Sequence, residues 1–378
     1  MAFNHIKHIL GNNFINAMGW HTNRKIIVIE SDDWGSIRMP SIETLEKLIT
    51  KKVNFDLDLE YDKIDTIASQ SDLENLFEVL NSVKDKKDNP AIMTANCVVA
   101  NPNFEKIRAS SFTEYHYELM TETMGRYYPQ ANPINMWKQG LDNSVFYPQF
   151  HGREHLNAQL WLNLLRNDIG GARAAFNETV FSQVMDIPND NRVHVLSAYN
   201  YRDKSEQQFI KRSIIEGLNI FENLFGYRSV SAISPCCTWD DFIEKCYIEG
   251  GIKYIQGGHF QIYSTYQKKL SCKNGKYHFC GEKNKFGQYY LVRNCFFEPS
   301  QDPNINFVDD CLSRIKIAFR WKKPAIISAH RLNFIGALNV KNRDVNLKLL
   351  GILLKQIVRQ WPEVEFMTSD SLGELIRS

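Results

Sequence analysis

Three stretches of this chain carry side chains that could do chemistry together. The first is Asp32-Asp33, which ends the run Lys25-Ile26-Ile27-Val28-Ile29-Glu30-Ser31 and precedes Trp34-Gly35. Two neighbouring carboxylates repel each other unless one is neutralised or a cation lies between them. The second is His151-Gly152-Arg153-Glu154-His155, whose two imidazoles would share one face if the segment opens a helix. That spacing alone is weak, since ten histidines in 378 residues can produce it by chance. The third is His330, at the end of Ala325-Ile326-Ile327-Ser328-Ala329. Singly, adjacent acids more often cap a helix, and a lone histidine is more often a satisfied core residue. Together they offer one carboxylate and two imidazoles, a three-ligand metal site that leaves a position open for water. A second acid and a third histidine remain for proton transfer.

Strands must deliver these groups. The β-branched run Ile26–Ile29 reads as a buried strand, and so does Ala325–Ala329. In α/β proteins ligands sit beyond the carboxyl ends of the strands, where Asp32, Asp33 and His330 would emerge. Val145–Phe150 leads into the His151–His155 segment in the same way. Further strands are expected over 91–100, 193–199, 230–233, 253–256 and 364–368. Helical spacing covers 41–51, 72–83, 157–166, about 172–185, 205–225, 242–249, 307–321, 345–359 and 369–377. Residues 52–69 read as a loop over the active-site face. Residues 102–150 and 257–300 read as insertions, a β-hairpin among the forms open to the second. The alternation of strand and helix, with no composition break, predicts a single α/β domain over 1–378. Its simplest form is a barrel of seven or eight units, with residues 1–22 as a helical extension.

Composition narrows the partners. Forty-five basic and 43 acidic residues leave a net charge of +2, which gives no footprint for nucleic acid or an anionic membrane. No apolar run of about 18 residues predicts membrane insertion, and Met1–Trp20 lacks the apolar core of a secretion signal. Eight cysteines without a CxxC pair point to reduced thiols in the cytoplasm. Abundant Trp, Tyr and Phe would suit stacking against sugar rings.

The ordered motifs ESDDWG, HGREH, SAISPCCTWDD, AIISAH and VEFMTSDSLGEL resemble the polysaccharide deacetylases of the NodB-like superfamily (carbohydrate esterase family 4), from about Ile26 to Ile376. The resemblance implies a distorted (β/α)7–8 TIM-like barrel with a divalent metal at its top. Asp33, His151 and His155 would be its ligands, with zinc the expected ion and cobalt, nickel or manganese also compatible. Asp32 would be the general base and His330 the general acid in removing an acetyl group from a carbohydrate, as amide or ester. Trp34, Arg153, Trp239, Asp240, Arg331 and Asn333 are the candidates for substrate binding. The chain departs from the family at Gly152, where Ser or Thr is usual, and at Ser234-Pro235-Cys236-Cys237, where the family has an arginine and a tyrosine. Arg153, Arg38 or Arg331 could replace that arginine as the tether of the catalytic Asp, and Asp240 or Asp241 could orient His330. Two alternatives remain: a glycoside hydrolase using Asp32 or Glu30 with Asp240, and a non-catalytic carbohydrate-binding relative.

Overall fold

The computed structural model describes residues 11, 13–53, 60–131, 133–182, 184–187 and 190–378; the expected helix over the first residues lies largely outside this set. Strand β1 (Lys25–Trp34) runs through the middle of the molecule, with Ile26–Val28 fully buried. Around it stand β2 (Met93–Cys97), β3 (Phe146–Phe150), β4 (Ser231–Ile233), β5 (Tyr254–Gly257), β6 (Tyr289–Val292), β7 (Cys295–Phe296), β8 (Ala325–His330) and β9 (Val364–Met367). The sheet order is β6-β5-β4-β3-β2-β1-β8-β7, with β9 paired to the first half of β1. Every pairing in this sheet is parallel. Parallel strands buried on both faces need continuous apolar sequence, which Ile26–Ile29 and Ala325–Ile327 supply.

The two edges of this sheet are consecutive pieces of one chain segment. β6 pairs with β5, then Arg293 N–H donates to the Gly257 carbonyl at 3.0 Å, and Asn294 N–H donates to the Ile326 carbonyl at 3.2 Å. β7 then pairs with β8. Residues 289–296 thus step from one edge to the other and close the sheet into a distorted (β/α) barrel. Helices bury one face each against it. In Val340–Gln360 the buried positions Leu347, Leu350, Leu354 and Ile357 follow three- and four-residue spacing.

Four expectations need correction. Residues 257–300 do contain a hairpin, Phe260–Ile262 with Gly275–Tyr277, but β6 and β7 also lie there and belong to the barrel. The strand expected at 193–199 is instead Asp190–His194, paired antiparallel with Val184–Ile187 outside the barrel. The preceding helix stops at Asn177, short of Met185. Short apolar runs do not say which sheet they join: the run expected at 193–199 is peripheral, while β6 and β7 complete the barrel. Residues 102–150 are also more regular than expected, with helices Phe104–Ala109, Met120–Tyr127 and Pro133–Asp142.

Candidate metal centre

Strand β1 does not end straight. Its register against β2 shifts between Ser31 and Trp34, and Asp33 adopts the left-handed region at φ 71°. Such a conformation costs a non-glycine residue about 1–3 kcal/mol and persists only where its surroundings impose it. Gly35 follows at φ 83°, where a Cβ would meet the Val98 carbonyl. The bulge breaks the alternation of the strand, so that neighbouring Asp32 and Asp33 both reach the cavity at the barrel mouth.

His151 and His155 arrive differently from expectation. They lie in an irregular segment ahead of the helix Ala158–Asn167, not on its first turn. Gly152 stands between them at φ 117°, a conformation that disfavours the Ser or Thr of the related motif. The turn brings the two imidazole centroids to 4.9 Å. His151 Nδ1 lies 3.0 Å from the Ile233 carbonyl. A carbonyl can only accept, so Nδ1 carries a proton and Nε2 is the nitrogen available as a ligand. Nε2 of His151 and Nε2 of His155 lie 3.3 and 3.4 Å from Asp33 Oδ1. Burial pushes His155 down to about 3, so its ring is neutral.

The three donor atoms lie within 4.8 Å of one another, and all three residues are buried. Tetrahedral ligands about 2.0–2.1 Å from one ion stand roughly 3.3–3.4 Å apart, the spacing found from Asp33 to each imidazole. A neutral imidazole lone pair facing a carboxylate oxygen needs a cation or proton between them. The group therefore could hold a divalent ion. Asp33 Oδ2 accepts from Arg38 Nη2 at 2.7 Å. Burial opposes ionisation of Asp33, but the Arg38 guanidinium outweighs it and holds its carboxyl well below the usual range.

Asp32 is held by a residue the sequence reading missed. Arg293, at the barrel seam, donates from Nη1 and Nη2 to the two Asp32 oxygens and from Nε to Glu30, each at 2.6 Å. Asn96 Nδ2 adds a bond to Asp32 Oδ1 at 2.8 Å. Burial works against the charge, but the guanidinium prevails and keeps Asp32 well below the ordinary carboxylate value. Neither Arg153 nor Arg331 is the tether, because both are committed elsewhere. Arg153 pairs with Glu154 and Glu216 beneath the ring of Tyr117; Arg331 is spent on Asp65 and the Ser36 carbonyl. Arg38 reaches Asp33, not Asp32.

His330 has a partner of the same missed origin. Its Nδ1 lies 2.5 Å from Glu298 Oε1, and its Nε2 faces Asp32 Oδ2 at 3.9 Å. Burial lowers the affinity of the ring for a proton, but the Glu298 charge and hydrogen bond overcome it and push the imidazolium up to about 9. Asp240 does not orient it: Asp240 caps the helix Asp241–Gly250 and accepts from Tyr201 and Ser264. Asp241 is exposed and pairs with Lys285.

The cavity over these groups holds about 370 Å³ and is also lined by Arg38, Tyr61, Cys236, Phe296 and Gln301. The six substrate-binding candidates are not among its lining residues. Trp34 is core, its indole N–H donating to Ser31 and its ring packed edge-on against Phe146. Trp239 stacks on His278 behind the wall. Asn333 acts at one remove, donating to Glu298 Oε2 at 2.8 Å. Arg153, Asp240 and Arg331 are placed as described above.

No known family model matches the chain, and no curated protein matches its sequence. Its structural neighbours include polysaccharide deacetylases. A Mycobacterium smegmatis protein assigned to that class is similar over 96% of this chain and 93% of its own, at 9% identity and a TM-score of 0.46. An allantoinase is similar over 94% and 91%, at 10% identity and a TM-score of 0.49. A carbohydrate esterase family 4 pseudoenzyme from Bacillus anthracis is similar over 92% and 65%, at 10% identity and a TM-score of 0.37. Among the described residues no helix is long and apolar enough to cross a membrane.

Proposed function

We propose that this chain is a metal-dependent hydrolase that removes acetyl groups from a carbohydrate. One observation carries the reading: a buried Asp33-His151-His155 group flanked by a carboxylate paired with Arg293 and an imidazole paired with Glu298. In this reading Asp33, His151 and His155 hold the ion, with zinc expected for such a donor set and cobalt, nickel or manganese able to replace it. The ion, when bound, polarises the acyl carbonyl and makes water more acidic. Asp32 takes a proton from the attacking water, and His330 gives one to the leaving nitrogen or oxygen as the acyl bond breaks. Their opposed environments support this division, since at neutral pH each already carries the proton state its role requires. Arg293 orients Asp32, and Glu298 orients His330.

The alternatives are weaker. A glycoside hydrolase needs a second carboxyl facing the substrate, and Asp240 is committed to a helix cap. The non-catalytic reading drew on a missing arginine, a place that Arg293 can fill. The unpaired thiols of buried Cys97, Cys246 and Cys295 favour a reducing compartment, the cytoplasm. Elemental analysis of the purified protein, followed by acetate release from N-acetylated and O-acetylated sugars, tests the proposal. Loss of acetate release on chelation and its return with zinc would support it; sugar release that survives chelation would favour the glycosidase.

A further inference from the structure

Between the short helix Glu60–Ile64 and the loop that follows Glu298, two side chains meet at the cavity wall beside His330. Gln301 Nε2 donates to the Tyr61 hydroxyl at 2.8 Å. The Tyr61 ring stands edge-on to the His330 imidazole with centroids 5.2 Å apart, and the Arg38 guanidinium lies 5.3 Å from the centre of the same ring.

Both ends of this bridge are anchored in buried structure. Gln301 N–H donates to the Glu298 carbonyl at 3.0 Å. Next to it Ser300 N–H donates to Asn333 Oδ1 at 3.0 Å, while Ser300 Oγ donates to Asn342 and accepts from Asn346, both at 2.8 Å. On the other side, Asp65 follows the helix directly and binds the fully buried Arg331. A wall fixed at both feet excludes bulk more effectively than a free loop, because displacing it would break several buried polar contacts.

Position gives the wall its meaning, and here the argument rests on the deacetylase reading above. His330 delivers a proton to the leaving nitrogen or oxygen, so the sugar that bears that atom lies beside His330, against Tyr61. Neighbouring sugars of a continuous chain would have to run on through the Tyr61–Gln301 bridge. The volume agrees: about 370 Å³ is near the lower end of small-molecule sites. We propose that the Tyr61–Gln301 bridge closes the leaving-group side of the cavity, so that the site takes one acetylated sugar residue, free or at a chain end, and rejects internal residues of a polymer.

The test is the position of deacetylation. Zinc-loaded protein is given the methyl glycoside of N-acetylglucosamine and, separately, N-acetylchitopentaose, and the products are sequenced by mass spectrometry. The wild type should release acetate from the glycoside and from a terminal residue of the oligomer. Gln301→Ala removes an exposed side chain and Tyr61→Phe keeps the ring, so both should fold; Tyr61→Ala opens the wall fully. Each should raise the internal-to-terminal ratio, with Tyr61→Ala changing it by about tenfold or more. Wild-type deacetylation of internal residues, or an unchanged product pattern in all three variants, would overturn this inference while leaving the deacetylase reading intact. No acetate from either probe with any variant would count against both.

Discussion

Replacing Arg293 with methionine should uncover how Asp32 is held. The substitution keeps an unbranched apolar stem and removes three charge-assisted bonds of 2.6 Å. Glu30 then keeps only its bond from Ser369, and Asp32 keeps its bond from Asn96 and the His330 imidazolium 3.9 Å away. Removing one partner of a buried pair typically costs about 3–5 kcal/mol, and here one arginine serves two acids. The pH dependence has a definite sign. In the native protein the depressed Asp32 group contributes stability that is present above its unfolded value of about 3.9 and is lost only in strong acid. Burial already raises Glu30 in the native protein; in the variant it raises Glu30 further and is less opposed at Asp32, so the penalty grows as pH rises above about 4 and shrinks as the acids take protons. Urea unfolding at pH 7 and at pH 5 measures it. The deficit should be about 3 kcal/mol or more at pH 7 and clearly smaller at pH 5, and Glu30→Gln added to Arg293→Met should recover part of it. A deficit below about 1 kcal/mol, or one equal at the two pH values, would refute the claim that Arg293 compensates these charges.

Three further outcomes follow from the same geometry. Asp33→Ala and His151→Ala should each abolish stoichiometric metal in elemental analysis, whereas Asp32→Asn should retain it; metal kept by both alanine variants would remove the ligand assignment. In metal-free protein, NMR titration should place His330 at about 9, falling towards about 6.5 in Glu298→Gln. The stabilisation linked to that imidazolium is fully present below about 6.5 and is lost as pH rises through about 9, so the variant should be relatively less impaired in alkali. Arg38→Met frees the second oxygen of Asp33 and should weaken zinc binding about 10–100-fold by calorimetry; unchanged affinity would mean that the arginine does not position this carboxylate.

The strand ends that carry Asp32, Asp33 and His330 are legible in sequence because burial on both faces demands an uninterrupted apolar run, and a polar residue at its close marks the mouth of the barrel. His151 and His155 are legible as a pair but not as a geometry. The spacing invites a helical face, whereas the rings converge through a turn at Gly152, whose φ of 117° no periodicity encodes. Arg293 and Glu298 were hidden by a different cause. Residues 257–300 are rich in Gly, Lys and Tyr, and that bias masks Tyr289-Tyr290-Leu291-Val292-Arg293-Asn294-Cys295-Phe296-Phe297, a nearly continuous apolar run with an arginine at its centre. A charge inside a strand-like run is expensive to bury and so needs a partner already buried nearby; in this chain the candidates were Glu30 and Asp32, whose own placement in or beside the first strand poses the converse problem. The two anomalies are one feature seen from both sides, because the segment that closes the barrel has to pass the strand end that carries two acids in succession and a third two residues earlier. The same step sets Glu298 five residues further on, within reach of His330 on β8. The closing strand therefore places a partner for Asp32 and a partner for His330, the proposed base and acid, which is why a reading that treats it as an insertion finds the proposed ligands and loses these two partners.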